Sequence, residues 1–336
     1  MKITNVLRIN LENFKFSKAL YSFVLFFLLG ICAHAEQAVF PAKPIKFIVT
    51  YPAGGSSDLL ARILTRKLNE QFGQPIIVDN KNGAAGSIGM DYAAHQAPDG
   101  YSFVIGNLGP ALVNPILSKL SYNMDQDFIP LCLIATGPNV LVVNASSPYK
   151  SLDDLLNAAR AAPDKVNFGS SGAGSMSHLS TEMIMGKTNV KLTHVPYKGG
   201  GLAVNDLLAG HIDFLISDAL PVMQFIKSGQ LRPLAVTSAT RFSAFPNVPT
   251  FNEVGISGLV ALNWWGIYLP AKTPKNIVDK YLSAFTKVMA DEDVKAQFAS
   301  LGVDAVMSTP KEFKNFLVGE TSKYSKLIKE NNIRSE

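Results

Sequence analysis

The chain has 336 residues, of which 47% are hydrophobic and 17% charged, with 31 Lys and Arg against 26 Asp and Glu. A net charge of +5 without any dense Lys/Arg run argues against nucleic acid as a partner. Two cysteines allow at most one disulfide, so stability must come from an apolar core, and the length suffices for two lobes.

The first 35 residues have the pattern of a secretory signal. Lys2, Arg8, Lys15 and Lys18 make a basic leader, residues 19–33 are apolar and rich in Leu and Phe, and Ala33-His34-Ala35 supplies an A-x-A cleavage site. The apolar run is short for a spanning helix, which needs about 20 residues. An uncleaved N-terminal anchor is the alternative. Cys32 invites a lipoprotein reading, but the preceding Ile31 is bulky where lipidation sites prefer a small residue. Cleavage before Glu36 removes a net +3, leaving +2, and strands Cys132 without a disulfide partner. A periplasmic location is expected.

Residues 45–49 (IKFIV) are short, apolar and β-branched, which predicts a buried strand. From Ser57 onward Leu59, Leu60, Ile63, Leu64 and Leu68 recur at helical spacing. Between strand and helix lies Tyr-Pro-Ala-Gly-Gly-Ser-Ser-Asp (51–58). Gly54 and Gly55 let the backbone bend, while Ser56, Ser57 or Asp58 can cap the helix. The unpaired N–H groups of such a helix start suit a carboxylate or phosphate; a capped turn and nothing more is the plainer reading.

The same strand, small-residue loop and helix recur. Residues 74–80 lead to Gly83-Ala84-Ala85-Gly86-Ser87, residues 165–169 to Ser170-Ser171-Gly172-Ala173-Gly174-Ser175, and residues 192–197 to Lys198-Gly199-Gly200-Gly201 and a helix over 203–208. The alternation predicts an α/β fold with a mainly parallel sheet, whose ligands sit beyond the strands' carboxyl ends. No loop matches the P-loop or dinucleotide fingerprints, so nucleotides are a poor fit. Residues 130–144 and 231–238 stand out as strand-like crossings between two lobes, the stretch between them being inserted. That gives a first lobe from residues 36–140 and 236–336, a second from 141–235, and a two-strand hinge that permits closure. Residues 276–288 and 311–328 read as helices.

Ser175, Ser177 and His178 look on paper like a nucleophile and base, but no orienting acid can be assigned. The five histidines show no metal-ligand spacing, and His194 reads as structural. Trp264-Trp265 border the cleft or fill the core, with core the default.

Taken in order, PAGGSSD (52–58), NKNGAAGSIG (80–89), APDGY (97–101), PNVLVVN (138–144), HVPYKGG (194–200), DLLAGHID (206–213), LAVTSATR (234–241) and PNVPTFNEVG (246–255) resemble the Bug-type solute receptors of tripartite tricarboxylate transporters. The resemblance runs from about residue 44 to about residue 328. It implies the two-lobed, type II-like periplasmic binding protein fold and capture of a small mono- or dicarboxylate between the lobes for delivery to a membrane permease. By the same resemblance, one ligand carboxylate rests on Ala53, Gly54, Gly55 and Ser56. The opposite lobe adds Ser170, Ser171, Ser175, Tyr197 and Asp218. Ala219 stands where the family often has Asn, and Asn107 precedes a Pro110 that donates nothing where relatives tend to carry Thr or Ser. Asp218 faces an ammonium or hydroxyl on the ligand, or caps the helix starting at Ala219. Tyr197 points into the cleft or fills a lobe interior, and Lys198 is solvated rather than ligand-facing. The expected protein is a monomeric receptor without cofactor, metal or catalysis. Its rivals are a sensor subunit partnered by a signalling kinase and, less well supported, an exported hydrolase.

Overall fold

The computed structural model describes residues 40–330 except residue 243; the leader and Cys32 lie outside the described residues. β1 (Ile45–Val49) is buried apart from Lys46, as its apolar sequence requires. The loop after it enters α1 (Ser56–Phe72), which turns Leu60, Ala61, Leu64 and Leu68 to the core and stops where Gly73 adopts φ 62°. β2 (Ile76–Asn80), α2 (Ser87–Ala94) and β3 (Ser102–Asn107) follow. Two short helical pieces, Gly109–Val113 and Asn114–Leu117, lead on toward β4 (Phe128–Asn144). At 17 residues β4 is about three times the usual strand length, and its two ends belong to different parts of the sheet.

After β4 come α3 (Leu152–Ala161), β5 (Asn167–Ser170), α4 (Met176–Thr188), β6 (Thr193–Pro196), α5 (Gly200–Ala209), β7 (Phe214–Asp218), α6 (Ala219–Lys227) and β8 (Leu231–Val236). The chain ends with β9 (Leu262–Pro270), α7 (Lys275–Ala290), α8 (Glu292–Ser300), β10 (Asp304–Ala305) and α9 (Pro310–Glu330).

The strand order is β2-β1-β3-β9-β4-β7-β5-β6, with β8 and β10 also paired to β4. A parallel trio at each end, β2-β1-β3 and β7-β5-β6, flanks antiparallel pairings of β9 and β4. The expectation of a mainly parallel sheet therefore holds only for the two trios. β9, which carries Trp264 and Trp265, joins the halves and was not anticipated as a strand.

β4 pairs with β9 over Phe128–Pro138 and with β7 and β8 from Asn139 onward. β8 stays beside the far end of β4 and does not itself cross. The return crossing is made at Thr237 and Ala261. The Asn139 N–H donates to Thr237 Oγ1 at 2.9 Å, the Thr237 N–H to the Asn139 carbonyl at 2.9 Å, and the Ala261 N–H to the Thr237 carbonyl at 3.0 Å. Between these points Phe242, Phe245, Val248, Phe251, Ile256 and Leu259 pack into the two apolar clusters of the second half. The first half has its own core, where Ile48, Val104, Trp264, Tyr268 and Phe313 meet. α9 touches both halves: Leu327 packs on cores of each, and Tyr324 reaches Met176 Sδ at 3.7 Å.

Candidate functional site

Between the halves lies a cavity of about 960 Å³. Its walls come from the carboxyl ends of the parallel strands, the position where open α/β sheets hold ligands. β1 delivers Tyr51 to Ser57, β3 delivers Asn107 to Gly109, and β7 delivers Ser217 and Asp218. The loops leaving β5 and β6 deliver Ser171, Ser175 to Ser177, and Lys198 to Leu202.

Four helix N-termini, those of α1, α4, α5 and α6, open on this space. Only α4 has a side-chain cap, from Ser175 to the His178 N–H at 3.4 Å. The N-cap positions of α1, α5 and α6 are Gly55, Gly199 and Asp218, none of which makes a side-chain capping bond. First-turn N–H groups of three helices are thus left toward the cavity, each with the partial positive charge of its helix start. The expected capping of α1 by Ser56, Ser57 or Asp58 does not occur. Asp58 instead reaches back to accept the Gly54 N–H at 3.0 Å, along with Asn80 Nδ2 at 3.0 Å and Arg62 Nε at 2.8 Å. Burial raises the pKa of Asp58, but its bonds from Arg62, Gly54 and Asn80 outweigh that and hold it below the usual carboxylate range. The loop is therefore rigidly tied from behind while its front stays open. Gly54 holds φ 80°, where any side chain would be strained.

Among the described residues Asp218 is the only carboxylate on the walls. It accepts a hydrogen bond from Ser56 Oγ, which joins the two halves across the cleft, and a longer one from Ser217 Oγ at 3.3 Å. Burial raises its pKa above the usual carboxylate range, and those hydroxyl contacts only partly offset it. Behind it the Tyr51 hydroxyl donates to the Ala85 carbonyl at 3.0 Å. Asn107 lies beside Tyr51 and lowers its pKa. Asn107 Oδ1 is left buried without a partner. Burial, more than these contacts, pushes the Tyr51 hydroxyl well above its ordinary pKa.

Of the residues singled out in the sequence, Ala53, Gly54, Gly55, Ser56, Asn107, Ser171, Ser175 and Asp218 all line the cavity. Ser170 and Tyr197 do not. Ser170 is fully buried, with Oγ accepting the Gly172 N–H at 3.1 Å and lying 2.6 Å from His194 Nε2. Tyr197 packs against the second-half core and donates its hydroxyl to Asp206 of α5 at 2.6 Å. Burial first, then that carboxylate, push its pKa up to about 12. Lys198, expected in solvent, is exposed but stands on the cavity rim.

Sequence reasoning missed Tyr51, Ser57, Asn82 and Trp265. Asn82 follows β2 as the glycine loop follows β1, so strand position was the available signal. Trp265, whose Nε1 donates to Ser57 Oγ at 3.1 Å, had none, because β9 was not recognised. Ser177 Oγ is engaged by the Ser171 N–H at 3.0 Å, and His178 sits behind the loop, so this serine and histidine do not face the cavity as a pair. Among the described residues no cluster of His, Cys, Asp or Glu is placed to hold a metal, and no helix is long and apolar enough to cross a membrane.

Residues 60–333 match the model of the tripartite tricarboxylate transporter family receptor. Protein BugT of Bordetella pertussis is 34% identical over 303 residues, covering 90% of this chain and 93% of its own. The solved structure of R. palustris Rpa4515 with adipate superposes with a TM-score of 0.86 at 31% identity, covering 88% of this chain and all of that one. MatC from Rhodopseudomonas palustris with bound malate gives 0.82 at 28% identity, over 86% of this chain and 100% of its own. With a family model spanning most of its length and relatives of this closeness, the chain belongs to the tripartite tricarboxylate transporter receptor family, with the α/β fold of its periplasmic solute-binding proteins.

Proposed function

We propose that the protein is an exported receptor that captures a small mono- or dicarboxylate in this cleft, performs no chemistry on it, and hands it to a membrane permease. One observation carries the reading: three helix N-termini without side-chain caps open on a single cavity. Backbone donors of this kind stabilise a carboxylate through charge-assisted hydrogen bonds, about twice as strong as neutral ones, without a fixed counter-charge that would slow release. The adipate in Rpa4515 and the malate in MatC support the same ligand class. Residues 1–35 act as the signal peptide and the mature chain works in the periplasm as a monomer.

The two sheet halves serve as lobes that close on the ligand, residues 36–140 and 236–336 against 141–235. The packing of Phe242 to Leu259 under the second half supports extending that lobe to about residue 260. The bond between Ser56 and Asp218 across the cleft supports reading this arrangement as the closed one. Ligand-driven closure follows if the anion contacts donors of both lobes and so favours the closed state. Ala53 to Ser56 hold one carboxylate, while Ser171, Ser175 and Asp218 meet the ligand from the other side and Asn107 shapes its distal end.

Both tryptophans are fully buried, but Trp265 lines the cavity and Trp264 does not, so Trp265 gives the test. Titrating the purified protein with adipate, malate and other small carboxylates should give a saturable change in tryptophan emission with at least one acid, absent in Trp265→Phe. No saturable change across the series, with the protein folded, would contradict the carboxylate reading.

A further inference from the structure

Behind the cleft wall, α4 and β6 set two imidazoles face to face. The rings of His178 and His194 stack 4.2 Å apart with their planes 7° from parallel, and Phe168 of β5 stacks on His194 at 4.8 Å. His178 is only 6% exposed. Its Nδ1 accepts the Gly174 N–H at 3.1 Å, so that nitrogen carries no hydrogen. The ring proton therefore sits on Nε2, 3.3 Å from Glu182 Oε1. Beside it, His194 holds Ser170, and Ser170 holds the Gly172 N–H. The Ser175 N–H closes the turn on the Gly172 carbonyl at 3.1 Å. Two imidazoles thus pin the turn from which Ser171 and Ser175 reach the cavity.

A second proton on His178 has one place to go. Nδ1 would then point a hydrogen at the Gly174 N–H, and donor would face donor. Glu182 on its own helix and His194 on β6 are the titratable groups that face the ring among the described residues. β5 presents the ring of Phe168 to it.

We propose that His178 is a positioning residue whose neutral imidazole holds the Gly172–Ser175 turn in its ligand-ready shape, and that protonation releases the turn and loosens that wall of the cleft. As control of ligand binding this rests on the receptor reading. As a property of the turn it does not, so the test reads the turn without ligand and its failure leaves the carboxylate titration standing. The ¹⁵N-labelled protein is followed by NMR from about pH 8 to about pH 5, the range in which histidine titrates. At the upper end His178 should show the Nε2–H tautomer. On acidification the Gly174 amide should shift with the same midpoint as the His178 ring. Its hydrogen exchange, corrected for intrinsic rate, should rise by about tenfold or more, the amide having lost its acceptor. His178→Asn offers an oxygen in place of Nδ1 and cannot titrate, so its Gly174 amide should hold its shift and protection throughout. A Gly174 amide that stays put while His178 titrates, a hydrogen on Nδ1 at the upper pH, or a ring that remains neutral to about pH 5 would each overturn the proposal. The wild-type titration decides the matter even if the variant fails to fold.

Discussion

Replacing Thr237 by Val probes the return crossing with little change of shape. Thr237 is fully buried, and its hydroxyl accepts the Asn139 N–H while donating to the Ala261 carbonyl at 2.5 Å. Valine leaves the Asn139 N–H buried without an acceptor, which costs about 1–3 kcal/mol. The Ala261 carbonyl keeps the Asn139 amide at 3.3 Å, so its loss is nearer the net value of one hydrogen bond, about 1 kcal/mol. Thr237→Val should therefore lose about 2–4 kcal/mol. At roughly 2 °C per kcal/mol for a chain of this size, that is a fall of about 4–8 °C in Tm by scanning calorimetry. Thr237→Ser keeps the oxygen and loses one methyl, about 1 kcal/mol. A Thr237→Val protein melting with the wild type, or a serine variant less stable than the valine one, would refute the crossing network.

Further outcomes follow from the same geometry. Because the carboxyl of Asp218 is raised in the folded state, folding stability falls as pH rises through the window between its unfolded value and its higher folded one. Asp218→Asn should thus melt higher than wild type at neutral pH, with the gain gone below about pH 4; a lower Tm at neutral pH would contradict this. Asp58 runs the other way: its depressed pKa contributes stability above the unfolded value that is lost as pH falls through the folded one. Asp58→Asn should be destabilised at neutral pH by denaturant titration, with the difference shrinking in acid. Gly199 holds φ 141°, and a Cβ there would stand 3.1 Å from the Pro52 ring of the other half. Gly199→Ala should weaken carboxylate binding by about tenfold or more in the Trp265 titration, since even 1.4 kcal/mol of obstructed closure has that effect. Cys132 is fully buried and burial pushes its thiol far up, so it should resist a thiol-reactive dye until the protein is unfolded.

The strand and helix starts around the cleft were legible because each carries a local signal. β1 is apolar and β-branched, α1 has its leucines at helical spacing, and glycines punctuate the junctions. The central pairing was not. β9 reads as a buried apolar run like any core segment, and only its partners β3 and β4, far away in the chain, make it the strand that joins the halves. For the same reason Trp265 could not be assigned to the wall. Ser170 was misplaced by proximity, and of the two places open to Tyr197 it takes the lobe interior. Each adjoins cleft residues in sequence, but strand alternation and the packing of α5 turn them away, toward His194 and Asp206. Lone side chains at loop ends carry no sequence signal for which way they face.

The carboxylate clamp itself is tested most directly by differential scanning calorimetry with small carboxylates and their uncharged amides. A ligand at about 100 times its dissociation constant adds roughly 2.7 kcal/mol, or about 5 °C at 2 °C per kcal/mol. That upward shift is expected with at least one acid and none with its amide. Equal shifts with acid and amide, or none with any acid, would contradict it.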